Sequence, residues 1–363
     1  MKTNQLILTL ASGLLLAASS VQAQVEIRIS GAVAFRDTSY RAIRALYGAN
    51  LASQNPADAA GTPNQLKVTW TGTIPSLFGA QTVTVRAFYN GANAGIQDLT
   101  QNRNVNFLAT STPGDTNTVN LQSDLAFSSV FQQSTAFTSP VLDDIRFGVT
   151  PVFFVKSASA PAGLTNITVQ QYRTLAANGA VPAYFFTGDT NDTQLIHYVS
   201  RDPSAGQRTI VQRENAFTGN PIFYNWVTNG GAPQFVIDAT GRTSTQIRDL
   251  LNVSGPAISY LTGVDAINVN GGANILAYNG SKAFLGGYSS ISNNHLPVIT
   301  GQYSQWGYEH LFIRTTASQN IRDLRTALIA KVDLDLQTSA YSIPLSRVRV
   351  ERTAEGGPVS PIE

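Results

Sequence analysis

Short strand-like runs alternate with helix-like segments along most of this chain. Val25–Ile29, Thr82–Phe88 and Gly148–Val155 are rich in β-branched and aromatic residues, a composition typical of strands. Asp37–Tyr47 carries apolar residues at helical spacing, which predicts a helix. Asn166–Ala177 begins with polar residues, which predicts a second helix. Such alternation predicts an α/β protein with mixed, mainly parallel sheets.

Further segments extend the same pattern to the end of the chain. Residues 67–71, 125–127, 195–199 and 283–288 are predicted strands, and helices are predicted from Ile96 and over 321–330. The tail from Thr353 onward, with its Gly-Gly-Pro run, is predicted to be frayed. The chain has 363 residues, and single cores stop growing at roughly 250–300 residues. Two lobes are therefore expected.

The amino terminus has the pattern of a secretory signal peptide. Lys2 precedes a short apolar run, and Val21-Gln-Ala23 is a small-residue cleavage site, so residues 1–23 are expected to be removed. The run is too short for a comfortable membrane span, and no later segment has a long charge-free apolar run. The expected location is the periplasm or the exterior of a bacterial cell.

Charge and cysteine content exclude several function classes. The formal net charge is +2 and the chain has 0 cysteines. A near-neutral chain lacks the basic surface that nucleic acid or an anionic membrane requires. Without cysteine there are no disulfides, no thiolate catalysis and no cysteine-metal sites.

Small polar turns follow four predicted strands. They are Ala34–Phe35, Asn93–Gly95, Ser128–Ser129 and Arg201–Arg208. Ligands bind open α/β sheets at the carboxyl ends of the strands, so these turns are expected to converge on one cleft. The fourth turn is the most informative, because two arginine forks suited to an oxyanion flank Ser204 and Gly206 at a predicted helix start. A polar surface turn is the alternative interpretation of that segment.

The order of these turns resembles the type II periplasmic solute-binding proteins, specifically the phosphate-binding proteins of ABC transporters. Ile29–Phe35 is similar to the family's first strand and Gly-Ala-Gly-Ala-Thr-Phe turn, and Tyr89–Gly95 to its Tyr-x-Gly-x-x-Ser-x-Gly. Ala126–Ser129 stands where the family has Ala-Ser-Asp, and Leu164–Tyr172 is similar to a helix of its inserted lobe. Arg201–Arg208 is similar to Arg-Glu-x-x-Ser-Gly-Thr-Arg.

Several of the family's phosphate-binding side chains are replaced. The hydroxyl of the first turn is Ala34 here, and the serine of the second is Asn93 or Ala94. The carboxylate that reads the proton on phosphate in the family is Ser129. The Ser-Gly-Thr run is Ala205-Gly206-Gln207. The resemblance thus implies the scaffold, with a wetter anion site, a different ligand or no small ligand as open alternatives.

The resemblance implies a two-lobed clamshell that holds a small anion such as phosphate between its lobes and delivers it to an ABC permease. Lobe 1 is expected to span 24–148 plus 284–363, and an inserted lobe 2 to span 149–283. We expect a monomer with no cofactor and no membrane span. Charge would come from Arg201 and Arg208, hydrogen bonds from Asn93, Ser128, Ser129 and Ser204, and backbone amides from Phe35, Gly95, Gly206 and Gln207.

Enzymatic chemistry has little support in the sequence. His197, His295 and His310 have no ligand spacing, and no hydrolase or phosphate-loop motif is present. Gly188–Asp192 offers oxygens for Ca²⁺, but a capped turn explains it better. The expectation is a protein that is not an enzyme. An exported structural or protein-interaction module that keeps the binding-protein fold without a transport ligand is the alternative function.

Overall fold

The structure is a computed structural model that describes residues 24–58, 65–286, 294–339 and 341–362. The expected signal peptide, residues 1–23, lies outside the described residues. The described part of the chain begins with Gln24, the first residue after the expected cleavage site. The strands are β1 Val25–Gly31, β2 Leu51–Asn55, β3 Lys67–Thr73, β4 Thr82–Phe88, β5 Asn104–Leu108, β6 Thr118–Gln122, β7 Leu125–Ser128, β8 Asp143–Lys156, β9 Asn166–Ile167, β10 Ala180–Pro182, β11 Leu195–Tyr198, β12 Tyr224–Asn229, β13 Ala232–Ile237, β14 Ala257–Thr262, β15 Ala277–Tyr278, β16 Trp306–Ile313, β17 Ile343–Pro344, β18 Val350–Glu351 and β19 Ser360–Pro361.

The α-helices in the described residues range from one turn to five. They are α1 Arg36–Tyr47, α2 Pro75–Phe78, α3 Ala92–Thr100, α4 Val169–Asn178, α5 Tyr184–Thr187, α6 Gly206–Glu214, α7 Ser244–Val253, α8 Gly263–Ile267, α9 Leu296–Ile299 and α10 Gln319–Leu336. Local sequence explains their starts: Thr168 and Thr243 each form a capping box, with Gln171 and Gln246, that fixes the first turn of α4 and α7.

One large sheet organises the molecule, in the order β10-β11-β14-β8-β16-β7-β1-β4-β3-β2, with β17 also paired to β8. β1 pairs in parallel with β4 and β7, and β11 pairs in parallel with β14. The other neighbours in this sheet are antiparallel. The mixed α/β class is confirmed, but antiparallel pairs outnumber parallel ones because β8 and β16 run back across the middle of the sheet.

The long strand β8 connects the two halves of the sheet. Its residues 143–151 pair with β16, whereas residues 152–156 pair with β14. The chain therefore crosses from one half to the other within a single continuous strand. The predicted lobe boundaries, which include a crossing at 148/149, stay a prediction.

Two predictions about the later chain are wrong. Residues 283–286 form no strand, and 287–288 lie outside the described residues. The tail is anchored rather than frayed: β19 pairs with β18, and Glu355 is only 5% exposed and accepts a 2.9 Å hydrogen bond from the Phe131 backbone N–H. Buried backbone polar groups need such partners.

The aromatic cluster near residue 306 belongs to the core. Tyr303, Trp306, Tyr308 and Phe312 are all buried. Trp306 packs edge-on against Tyr308, with ring centroids 5.1 Å apart. These side chains fix β16 in the middle of the sheet. Within the described ranges, none of the helices combines the length and apolar character that a membrane crossing requires.

Candidate functional site

The segment that follows β11 delivers the chain to the start of α6. Ala205 has an extended backbone and provides no side-chain cap, so the first helical N–H groups, those of Gly206 and Gln207, point beyond the helix end. The helix dipole adds partial positive charge there. This terminus can therefore donate hydrogen bonds to an anion.

Two other helix starts face the same point. The 3₁₀ turn Val33–Phe35 leads into α1, and Gly91 precedes α3. Together with α6 they enclose a cavity of about 10 Å³, which is close to the space that one water needs. We call it the terminal cavity. Its lining residues are Ala32, Val33, Ala34, Gly91, Ala92, Ser129, Arg201, Ala205, Gly206 and Gln207.

Arg201 is the charged side chain of the terminal cavity. It is 2% exposed, and its guanidinium donates to Gln207 Oε1 at 2.9 Å and to the Arg242 carbonyl oxygen at 3.1 Å. Burial lowers the pKa of Arg201, and the neighbouring Asp202 carboxylate, with an oxygen 3.8 Å away, opposes that shift. Gln207 thus provides the acceptor that a bound oxyanion would otherwise offer to Arg201.

The turns around the cavity approach so closely that glycine is required. A Cβ atom on Gly206 would lie 2.2 Å from Ser129 Oγ and 2.8 Å from Ala92 Cβ. Gly91 has a φ of +119°, and a Cβ atom there would lie 2.8 Å from the Ser204 carbonyl oxygen. The α3 and α6 turns are therefore in direct contact.

Asn93 and Ser204 hold these two turns together. The Asn93 backbone N–H donates to the Ser204 carbonyl at 3.0 Å, and Asn93 Nδ2 donates to the Pro203 carbonyl at 3.0 Å and Thr209 Oγ1 at 3.1 Å. Ser204 in turn donates to the Asp202 carboxylate. The Asn93 side chain and the Ser204 backbone carbonyl thus join the two turns, and Ser204 does not line the terminal cavity.

Arg208 lies on a different surface. Its Nη1 donates to the Arg201 carbonyl at 3.1 Å, and its guanidinium lies 5.4 Å from the centre of the Phe223 ring. It lines an open groove of about 690 Å³ along the flank of α6, together with Asn93. We call this the flank groove. It shares no lining residue with the terminal cavity.

The structure therefore divides the predicted site. Ser129, Arg201, Gly206 and Gln207 line the terminal cavity, whereas Asn93 and Arg208 line the flank groove.

Three predicted donors are already engaged. The Phe35 N–H donates to the Ala32 carbonyl at 3.3 Å, and the Gly95 N–H to the Gly91 carbonyl at 2.9 Å, because both helical segments begin earlier than expected. Ser128 exchanges hydrogen bonds with the backbone of Val130. In place of Phe35 and Gly95, the residues at this position are Val33, Ala34 and Ala92.

One buried ion pair near the cavity was missed. Arg36, at the start of α1, is 6% exposed and places Nη2 3.9 Å from Asp265 Oδ1 in α8; Arg248 Nη1 lies 3.5 Å from the same atom. This pair joins the chain segments assigned above to different lobes. Arg36 directly follows the first turn in sequence, but nothing in the sequence connects it to Asp265.

The other candidate residues have structural surroundings. Among the described residues no cluster of three or more His, Cys, Asp or Glu side chains could hold a metal ion. The Asp189 carboxylate accepts from the backbone and side chain of Asn191, so 188–192 is a capped turn. His197 stacks on Phe235 with centroids 3.9 Å apart, and His310 lies 2.9 Å from Asp144.

Known structures share this fold. A protein from Clostridium perfringens, described as a phosphate ABC transporter substrate-binding protein with bound phosphate, superposes with a TM-score of 0.56 at 12% identity, over 88% of this chain and 99% of its own. A phosphate-binding protein from Stenotrophomonas maltophilia gives 0.49 at 13% identity, over 89% and 91%. The first of these matches shows that the chain has the two-lobed fold of periplasmic binding proteins, as expected. No family model and no curated protein sequence matches the chain.

Proposed function

We propose that this protein is an exported solute-binding protein that holds a small, phosphate-like oxyanion in the terminal cavity for uptake or sensing. The observation that carries the proposal is the convergence of three helix N-termini and the buried Arg201 on one point. Helix N-termini attract anions through free N–H groups and the helix dipole. The shared fold with a phosphate-carrying protein supports the same assignment.

Binding in this cavity requires one local rearrangement. The cavity of about 10 Å³ accommodates one water and is smaller than a four-oxygen anion. Gln207 occupies the Arg201 fork with its Oε1. An oxyanion would displace the Gln207 side chain, take over the Arg201 donors and receive the amides of Gly206 and Gln207. A permease partner would then recognise the closed form of the protein, in which Asn93 joins the α3 and α6 turns.

The exported location belongs to the same proposal. It rests on the signal-peptide pattern of residues 1–23, which agrees with a fold known from periplasmic binding proteins. We assign no catalytic role to the site, because its side chains form no nucleophile–base pair.

Calorimetric titration of the purified protein with phosphate, sulfate and molybdate at low salt tests the proposal. A bound anion at 100 times its Kd should raise the free energy of unfolding by roughly 2.7 kcal/mol. Gln207→Ala should bind the same anion about tenfold more tightly, since Arg201 is then free of its internal acceptor. Gln212→Ala, on the flank of the same helix, is the matched control. No binding of any of these anions by either protein would contradict the proposal.

A second candidate function is favoured by the small volume of the terminal cavity. Arg201 donates to Gln207, Asn93 donates to the Pro203 carbonyl, and Arg36 lies 3.9 Å from Asp265, all without a solute. A structural or protein-interaction module would need nothing more. In that case Gln207→Ala would leave anion binding absent and would lower thermal stability.

A further inference from the structure

The flank groove has the size of a solute site but a different chemistry from the terminal cavity. Its volume of about 690 Å³ lies within the range of roughly 300–1,000 Å³ typical of small-molecule pockets. One wall is the flank of α6, and the other includes Ser134–Ala136 and Glu355. Its charged members are Arg208, Arg213 and Glu355, so both signs of charge line one groove.

The groove wall contains acceptors that lack partners. Glu355 is 5% exposed; its Oε1 accepts from the Phe131 N–H at 2.9 Å, but its Oε2 has no hydrogen-bond partner. Asn93 Oδ1 is likewise buried without a partner, although Nδ2 of the same side chain makes two hydrogen bonds. A buried acceptor left unsatisfied is unfavourable, and a ligand with several N–H donors would correct this. An ammonium group has three such donors.

The same groove offers guanidinium groups. Arg208 and Arg213 lie on one helix, and Arg213 is exposed. Arg208 uses Nη1 for the Arg201 carbonyl, but a guanidinium has five N–H donors and can hold a carboxylate in addition. Thr209 and Gln212 also line the groove and supply an uncharged hydroxyl and amide group, whereas the Thr135 hydroxyl is bonded to the backbone of Gln132 and Phe137. Such groups suit the N–H and C=O of peptide bonds.

We propose that the flank groove binds a short zwitterionic peptide. Its ammonium group donates to Glu355 and Asn93, and its carboxylate accepts from Arg208 and Arg213. A purely anionic solute would leave the Glu355 acceptor unpaired and would be repelled by its charge, whereas a purely cationic one would face the two arginines. This inference does not rest on the anion site, because the two regions share no lining residue.

Calorimetric titration of the full-length protein with trialanine tests the inference, with N-acetyl-trialanine and trialanine amide as end-blocked analogues. Trialanine should bind, and blocking either end should weaken binding at least tenfold. Saturating inorganic phosphate should leave the trialanine affinity unchanged. Absence of binding, equal affinity for the blocked peptides, or competition by phosphate would overturn the inference.

Two substitutions assign the ends of the peptide. Glu355→Gln should weaken trialanine about tenfold and leave N-acetyl-trialanine unaffected; Glu351→Gln, exposed on the neighbouring strand, is its control. Arg213→Gln should weaken trialanine but not trialanine amide, with the exposed Arg349→Gln as control. If Glu355→Gln fails to fold, the comparison of Arg213→Gln with Arg349→Gln and the titrations with the two end-blocked peptides still test the inference. Equal losses for free and blocked peptides would contradict the assignment.

Discussion

The terminal cavity and the flank groove are both formed by α6, the cavity at its N-terminus and the groove along its side. The cavity encloses about 10 Å³ against the helix N-terminus, whereas the groove opens about 690 Å³ along its side. Arg201 in the first is 2% exposed and donates two hydrogen bonds within the protein, whereas Arg208 beside the second is half-buried. The two arginines of one short motif therefore have different roles, and the surroundings of each side chain determine its role.

The largest expected effect separates these two arginines. Arg201→Leu leaves Gln207 Oε1 buried without its donor and removes one of the two donors to the Arg242 carbonyl, which should lower the free energy of unfolding by about 3 kcal/mol. Arg208→Leu removes one hydrogen bond and one ring contact, so about 1 kcal/mol is expected. Urea unfolding of both variants measures the difference. Equal losses would show that the two arginines are not in different environments.

Glu309 is a buried carboxyl group that lines neither the terminal cavity nor the flank groove. Its titration should therefore change stability without changing ligand binding. Burial raises the pKa of Glu309 to about 8, while the hydroxyls of Thr150 and Ser342 donate to its Oε1 and oppose the shift. Between pH 4.5 and 8 the folded protein keeps a proton that the unfolded chain has lost. Stability should therefore fall as pH rises through this window, by a few kcal/mol.

Glu309→Gln should remove that part of the pH dependence, because a glutamine oxygen can still accept from both hydroxyls. Thermal unfolding at several pH values measures it, with the exposed Glu351→Gln as control. Sulfate affinity should be the same in Glu309→Gln as in the unaltered protein. An unchanged slope of stability against pH in Glu309→Gln would contradict the raised pKa.

Filling the terminal cavity beside Ser129 is the next test. Gly206→Val places carbon atoms within 2.2 Å of Ser129 Oγ and should cost about 1–3 kcal/mol. It should also abolish anion binding while leaving trialanine binding in the groove within a few-fold. Gly163→Ala, where a Cβ atom would lie 3.4 Å from Thr187, is the control. Loss of both ligands together would indicate a single joint site.

The smallest effect concerns the Asn93 side chain, which joins the α3 and α6 turns. Asn93→Ala removes the bonds to the Pro203 carbonyl and Thr209 Oγ1, so the free energy of unfolding should fall by about 1 kcal/mol. The contact between α3 and α6 should loosen, which differential scanning calorimetry and small-angle scattering detect together. A stability loss above about 3 kcal/mol would mean that Asn93 does more than join the turns.

Much of the fold could be predicted from sequence because local pattern and final structure agree. β1, β4 and α1 were predicted within one or two residues of their bounds, since periodic apolar residues define them. β16 and the β12–β13 hairpin were not predicted. In β16 all eight residues are buried, so Glu309 and His310 interrupt the apolar run without leaving the core.

The candidate site was predictable in its segments but not in its geometry. The start of α3 lies four residues before the predicted Ile96, which places the Gly95 N–H inside the helix rather than at its free end. The spacing of Arg201 and Arg208 does not reveal that one faces the cavity and the other the flank. That division depends on packing between distant segments, such as Gly206 against Ser129.

The most direct test of the account is to locate a bound anion. Crystals of the full-length protein soaked in molybdate, measured for anomalous scattering, give the position of the metal atom. We predict a peak between the amides of Val33 and Ala34 on one side and those of Gly206 and Gln207 on the other, with Gln207 turned away from Arg201. A peak beside Arg208 and Arg213 in the flank groove, or no peak, would contradict it.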